Sequence, residues 1–408
     1  MSARPVNPAV TTDYRLPTVV SRRDFLAITA LGLAGLGASR LADERTAEDP
    51  VYVGTYTHDG RSKGIYLLKM TRGTGALRTV GLVAETVEPS FLTISPNGRF
   101  VYSVNETTEF EGKPSGAVSA FARDRATGNL TFLNRVPSGG GAPCYITLDR
   151  AGKFVLVANY VGGSVAVFPI RKDGGVGDAT AFLQHVGHGA DAERQSSPHA
   201  HCIMPDPANR YVLVADLGLD RVLVYRFDAR AGKLQTAPAE RLAMAPGAGP
   251  RHLAFHPNGR IVYVVNELDS TVSTLRYHAA TGALTMLQTI PALNEPTTGK
   301  NSAADVHVHP SGRFLYMSNR GPDSIAAFAI DGKTSTLRPL QLEPTGGHWP
   351  RNFAIDPSGR FLFVANQRSD TIDTHRIDTA TGRLTPTGQR LELPSPVCIR
   401  FVPRSAGA

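Results

Sequence analysis

An all-β, seven-bladed propeller is predicted by three observations. A strand–turn–strand phrase recurs along the chain, the apolar runs are short and punctuated by glycine and proline, and the two ends of the chain carry complementary half-units. The phrase is a proline, an apolar strand, a Pro-x-Gly-Arg turn or close variant, and a second apolar strand ending in Asn or Asp. It runs from Pro89 to Asn105, Pro143 to Asn159, Pro198 to Asp216, Pro250 to Asn266, Ser302 to Asn319 and Pro350 to Asn366. Successive starts lie 54, 55, 52, 52 and 48 residues apart, with 46 more to Pro396. That spacing suits a four-stranded antiparallel blade.

The remaining two strands of each unit can be placed in order. Ser164–Phe168 and Thr271–Leu275 typify the third strand. The fourth follows a Thr-Gly turn such as Thr127-Gly128, Thr281-Gly282 or Thr381-Gly382. At the ends, Pro396–Val402 reads as a first strand with nothing after it. Val51–Thr55 reads as a second strand with nothing before it, followed by Ile65–Met70 and Leu77–Glu85. Pairing the two completes a seventh blade and removes an open sheet edge.

A chain of 408 residues exceeds the usual single-core size, and the repeat makes it one ring rather than several domains. The expected organisation is a signal over 1–39, a linker over 40–50, the propeller over 51–402 and a tail over 403–408. Ser21-Arg22-Arg23-Asp24-Phe25-Leu26 before the apolar run Ala27–Ala38 reads as a twin-arginine export signal. The run is too short to span a bilayer, which takes about 20 residues. The expected location is therefore periplasmic or extracellular, with the twin-arginine translocation machinery as a transient partner and no stable membrane span.

The net charge of +8 is scattered, with no basic stripe interleaved with aromatics, so nucleic acid is not expected as a partner. A small anionic ligand fits better. Cys144, Cys202 and Cys398 are too few and too odd in number for a disulfide framework. Each falls near the start of a repeat, where a small buried thiol fills space beside the channel.

In such a blade the first strand lines the channel and the second returns antiparallel. The residues after the repeat proline and those ending the second strand therefore share one channel mouth. They include Ser90, Cys144, His199, Arg251 and Arg351, with His201 and His252 close behind, and Glu106, Tyr160, Asp216, Asn266, Glu267, Arg320 and Gln367. This set suits lactone chemistry, which needs a base for water, a cation for the oxyanion and a carboxylate to orient a partner. The expected catalytic residues are His199 as base, Arg251 as oxyanion or carboxylate clamp, and Glu267 as orienting or proton-handling carboxylate. His201, Asn266, Arg320, Arg351 and Tyr160 are expected to bind substrate, the arginines through an anionic group.

Each of these has a plainer reading, since strand-end His and Arg cap backbone groups and strand-end Asn often forms turns. His199-x-His201 followed by Cys202 has the residue types of a zinc site but lacks a further ligand in the pattern, so neither metal nor cofactor is expected. His307-x-His309, beside Pro310-Ser-Gly-Arg, reads as packing and turn structure.

Several phrases resemble a known family: Val53-Gly54-Thr55-Tyr56-Thr57, Pro198-His199-Ala200-His201, Ala215-Asp216-Leu217-Gly218-Leu219-Asp220, Gly249-Pro250-Arg251-His252-Leu253, Asn266-Glu267-Leu268, Ser318-Asn319-Arg320-Gly321 and Pro350-Arg351-Asn352-Phe353. The resemblance is to the seven-bladed propeller lactonases, which include 6-phosphogluconolactonases and carboxy-muconate lactonizing enzymes. It implies a metal-independent site carried by His199, Arg251 and Glu267 and hydrolysis of 6-phosphogluconolactone. The alternatives are a lactonizing cycloisomerase using the same residues and a non-catalytic extracytoplasmic binding propeller. One departure is the export signal, since phosphorylated sugar lactones are scarce outside the cell.

Overall fold

The computed structural model describes Met1, residues 45–293 and residues 301–404. Apart from Met1, the signal expected over 1–39 lies outside these, as do the last four residues of the tail. The described residues from 48 to 404 form one compact unit.

Among the described residues, twenty-eight strands, numbered β1–β28 in chain order, form seven four-stranded antiparallel sheets. The innermost strands are β4 (Leu92–Ile94), β8 (Pro143–Leu148), β12 (Ala200–Pro205), β16 (Pro250–Phe255), β20 (Ser302–Val308), β24 (Pro350–Ile355) and β28 (Pro396–Phe401). Each touches the innermost strand of the next blade, and β28 touches both β24 and β4, so the ring closes. Closure is made as the half-units predict. β28 pairs with β1 (Glu48–Thr55), which begins three residues before the expected Val51, with Val53 opposite Ile399 and Val51 opposite Phe401. β2 (Gly64–Thr71) and β3 (Leu77–Glu85) complete that blade.

The burial pattern explains why second strands read as unbroken apolar runs. β9 (Phe154–Asn159), β17 (Ile261–Asn266) and β25 (Phe361–Asn366) are buried at all six positions, because blades stack on both of their faces. The outermost strands, such as β27 (Leu384–Glu392), mix exposed and half-buried positions.

One feature of the innermost strands departs from a simple two-residue period. Pairing with the second strand shifts register at Pro143/Tyr145, Ala200/Cys202, Pro250/His252, Ala303/Val306, Pro350/Asn352 and again where β28 meets β1. A bulge inserts an unpaired residue and re-aims the side chains beside it. At the channel mouth, two consecutive residues of one strand thus reach the neighbouring blade: Arg251 and His252 bond Ala304 and Asp305 respectively.

The bulges correct one alignment made from the sequence. Ala200, not Pro198, pairs with Asp216, as Pro250 pairs with Asn266. The partner of Arg251 and Arg351 in the fourth blade is therefore His201, and His199 lies just ahead of the strand, on the rim. Blade four spends two more residues between its proline and its strand-end acid than its neighbours do, which hid the shift.

Candidate active site

The mouth is organised around a buried carboxylate. Glu267 follows β17, and its backbone N–H donates to Gly249 O at 2.7 Å. Its Oε1 meets Arg194 Nη2 at 2.8 Å, and its Oε2 lies 2.9 Å from both Arg251 Nε and Arg320 Nη2. The Arg251 contact is ionic, because its Nε–H is not aligned with the oxygen. Burial alone would raise the Glu267 carboxyl, but the arginines, Arg320 and Arg251 foremost, hold it well below the usual carboxylate range. Glu267 is thus an ionised anchor for three guanidinium groups rather than a proton donor.

Each arginine is held at one edge. Arg251, 1 % exposed, donates from Nη1 to Ala304 O at 2.5 Å and lies 3.2 Å from His252 Nε2. Arg320 donates from Nε to Ser302 O at 2.9 Å and from Nη2 to Ser302 Oγ at 2.9 Å, and stacks on Trp349. Burial and then the neighbouring arginines push both groups down, Arg320 to about 9, with Glu267 opposing. Both guanidiniums remain charged at neutral pH. Arg251 Nη2 and Arg320 Nη1 have no protein partner among the described residues.

The far side of the mouth carries a second, looser set. Arg351 Nη2 lies 3.7 Å from Glu106 Oε1 and its guanidinium sits over the Tyr56 ring. Glu106 accepts from Tyr56 OH at 3.0 Å and from Ser90 Oγ. Four arginines thus face two carboxylates.

His199 is placed by three contacts. Its backbone N–H donates to Asp216 Oδ1 at 2.8 Å, its ring stacks on Tyr160 at 4.5 Å, and its Nδ1 lies 2.9 Å from Tyr160 O. A carbonyl only accepts, so Nδ1 carries the proton and Nε2 keeps the lone pair. Tyr160 OH in turn accepts from Arg194 Nη2 at 3.3 Å, which joins His199 to the Glu267 cluster.

Beneath the rim, His201 contacts Cys144 Sγ through Nδ1 at 3.6 Å and meets the His252 ring edge-on. Burial first, and Arg251 next, hold His201 well below its ordinary range and His252 down at about 3, so both are neutral. His252 Nδ1 lies 2.8 Å from Asp305 Oδ1, which leaves Nε2 to accept from Arg251. An Asp305–His252–Arg251–Glu267 chain therefore runs up to the mouth.

The structure thus gathers His199, Arg251, Glu267, His201, Arg320, Tyr160 and Arg351 at one mouth. Asn266 is different: its amide donates into its own blade, to Thr271 Oγ1 at 2.7 Å and Ser273 Oγ at 3.1 Å. Asn159 and Asn366 likewise bond third-strand side chains. Sequence reasoning missed Arg194, which belongs to the connection between blades and no repeat position. It also passed over Asp305, Trp349 and Tyr56. All three cysteines are buried, and burial raises their thiols, that of Cys202 to about 12, which suits packing and not nucleophilic attack.

Fold and site together define a seven-bladed propeller with a cluster of buried arginines and carboxylates at one channel mouth. The sequence model of the seven-bladed β-propeller lactonases matches residues 50–401, and the chain belongs to that family. It is 36 % identical to a 6-phosphogluconolactonase of Bacillus subtilis over 86 % of this chain and 97 % of that relative. A 6-phosphogluconolactonase of Formosa agariphila is also 36 % identical, over 74 % of this chain and 85 % of the relative. A solved periplasmic gluconolactonase of Pseudomonas aeruginosa superposes with a TM-score of 0.82 at 34 % identity, covering 87 % of this chain and 99 % of that one.

Proposed function

We propose that this chain hydrolyses a sugar-type lactone of the 6-phosphogluconolactone kind at the mouth lined by His199, Arg251 and Glu267. The observation that carries the reading is the surplus of guanidinium groups around Glu267, each fixed at one edge and open at another. His199 Nε2 takes a proton from water as the water oxygen attacks the ring carbonyl. The oxyanion develops against Arg251 Nη2, held still by Glu267 and His252. Collapse breaks the ring C–O bond, the leaving alkoxide recovers the proton from His199, and the acid formed ionises. Arg194, Arg320 and Arg351 receive an anionic substituent.

The Arg22-Arg23 pair and the likeness to a periplasmic gluconolactonase favour a second reading for the substrate, an unphosphorylated gluconolactone met outside the cytoplasm. Acid release above the spontaneous rate, from glucono-lactone and from its 6-phosphate, tests both. Release from neither, or undiminished release by His199→Ala, overturns the proposal. Activity is expected to survive chelator. Export is expected to fail when Arg22 and Arg23 are both changed to Lys, as followed by fractionation; normal export of that variant refutes the signal reading.

A further inference from the structure

Three aromatic rings pack together across the channel below the candidate active site. Phe91, Tyr145 and His252 form a plug, with ring centres 4.3 Å apart for Phe91–Tyr145, 5.1 Å for Tyr145–His252 and 5.7 Å for Phe91–His252. Under the plug lies a separate cavity of about 210 Å³ whose wall reaches Pro257, in the turn between β16 and β17. Tyr145, Phe255, Val306 and Val308 give it apolar sides, and Arg400 and His307 a polar end.

Arg400 is unusual among the channel's cations. Its guanidinium lies 4.4 Å from the Phe91 ring centre, with Nε donating to Leu92 O at 3.0 Å and Nη1 to Ile399 O at 3.0 Å. Nη2 and the second Nη1 hydrogen have no protein partner, and no carboxylate lies within ion-pairing distance among the described residues. Asp305 lines the same cavity, but its oxygens are taken by His252, His307, the Val306 N–H and Asn352 Nδ2. Arg400 is only partly buried, and its unused N–H groups face the cavity, where a bound anion would give them partners that the protein does not.

We propose that this cavity is a second binding site, taking a small organic monocarboxylate. The free edge of Arg400 presents two parallel N–H groups, the geometry that matches two carboxylate oxygens. A single guanidinium edge matches a single carboxylate. The apolar walls accept a hydrocarbon body, and the volume is below the range of drug-sized pockets, which limits the body to a single small ring or branched chain. The site is separate from the lactone-binding mouth and does not depend on that reading.

Calorimetric titration of the whole protein with benzoate, and with its neutral counterpart benzamide, tests the assignment. Benzoate is expected to bind at least about tenfold more tightly than benzamide, and Arg400→Met to weaken benzoate at least about tenfold while its stem keeps covering Phe91. Val308→Phe, which fills the cavity from its wall, is expected to abolish binding by a route that leaves Arg400 in place. Melting temperature and circular dichroism identify any variant that fails to fold. Equal affinity for benzoate and benzamide, no benzoate binding at about 10 mM, or binding that survives both variants would overturn the proposal. So would loss of binding in Arg251→Met with Arg400→Met unaffected, since the anion would then sit at the upper mouth.

Discussion

At the scale of single residues, activity and stability separate along the depth of the mouth. His199 is half-buried on the rim, so His199→Ala is expected to lower turnover by about 10²–10⁴-fold with little change in melting temperature. Steady-state kinetics beside calorimetry checks both halves. Arg251 and Glu267 differ from His199, because both are buried in one ion cluster. Glu267→Gln leaves buried guanidiniums uncompensated and is expected to cost about 3–5 kcal/mol of stability as well as activity; wild-type melting would contradict the anchoring role. Acid should expose the same cluster. His252 and His201 are neutral when folded and bind a proton below about pH 6.5 when unfolded. The unfolded state then holds more protons, so their contribution is complete above that pH and is lost on acidification toward the folded value, about 3 for His252. Each contributes a slope of about 1.4 kcal/mol per pH unit. Glu267 adds to the loss only below its ordinary carboxylate range. Denaturant melts between pH 4 and 7 should show the decline, and His252→Gln should flatten it; a flat wild-type profile would refute the neutral-histidine assignment.

At the scale of strands and turns, the repeat made most of the architecture legible and the bulges limited what could be said of the site. Four strands per unit, the closing pair and the shared mouth all follow from the recurrence of proline, turn and strand-end Asn. Which residue of Pro198-His199-Ala200-His201 faces the channel does not, because an unpaired residue breaks the two-residue alternation that such reasoning depends on. Asp305 was hidden similarly, by a shift spanning Ala303 to Val306. Arg194 was hidden because a connection between blades has no counterpart to be compared with. The Thr-Gly turns were legible as turns, yet their packing role was not. Gly382 has φ +76° and sits against the Phe314 ring of the preceding blade, so a Cβ there would come within 2.3 Å of the ring, while its carbonyl accepts from Tyr316 OH at 2.8 Å. Gly382→Ala therefore combines backbone strain with a clash, and is expected to lower stability by about 1–3 kcal/mol, read from its melting temperature. An unchanged value would mean that the turn and ring move apart freely.

At the scale of the whole molecule, the terminal strand closes the ring. β28 is covalently the last strand and structurally the first of its blade, so its loss differs from ordinary trimming of a terminus. Val397, Cys398 and Ile399 are at most 1 % exposed, and burying a Val or Ile side chain contributes about 1.5–3 kcal/mol. The strand also holds its neighbours: Ile399 N–H donates to Asn352 Oδ1 at 2.8 Å, Leu92 N–H reaches Cys398 Sγ at 3.3 Å, and Arg400 donates to Leu92 O. Asn352 in turn bonds Asp305, which positions His252 beneath Arg251, so an opened ring is felt at the candidate active site. A chain ending at Pro394 is expected to lose more of its melting temperature than its length suggests, to associate through the bare edge of β1, and to lose lactone hydrolysis. A chain ending at Arg404 keeps every contact named here and serves as the control. Adding the peptide 396–404 to the shorter chain should restore part of the melting temperature if edge pairing is the missing element. Melting of both chains at the same temperature would show that the ring does not need its terminal strand.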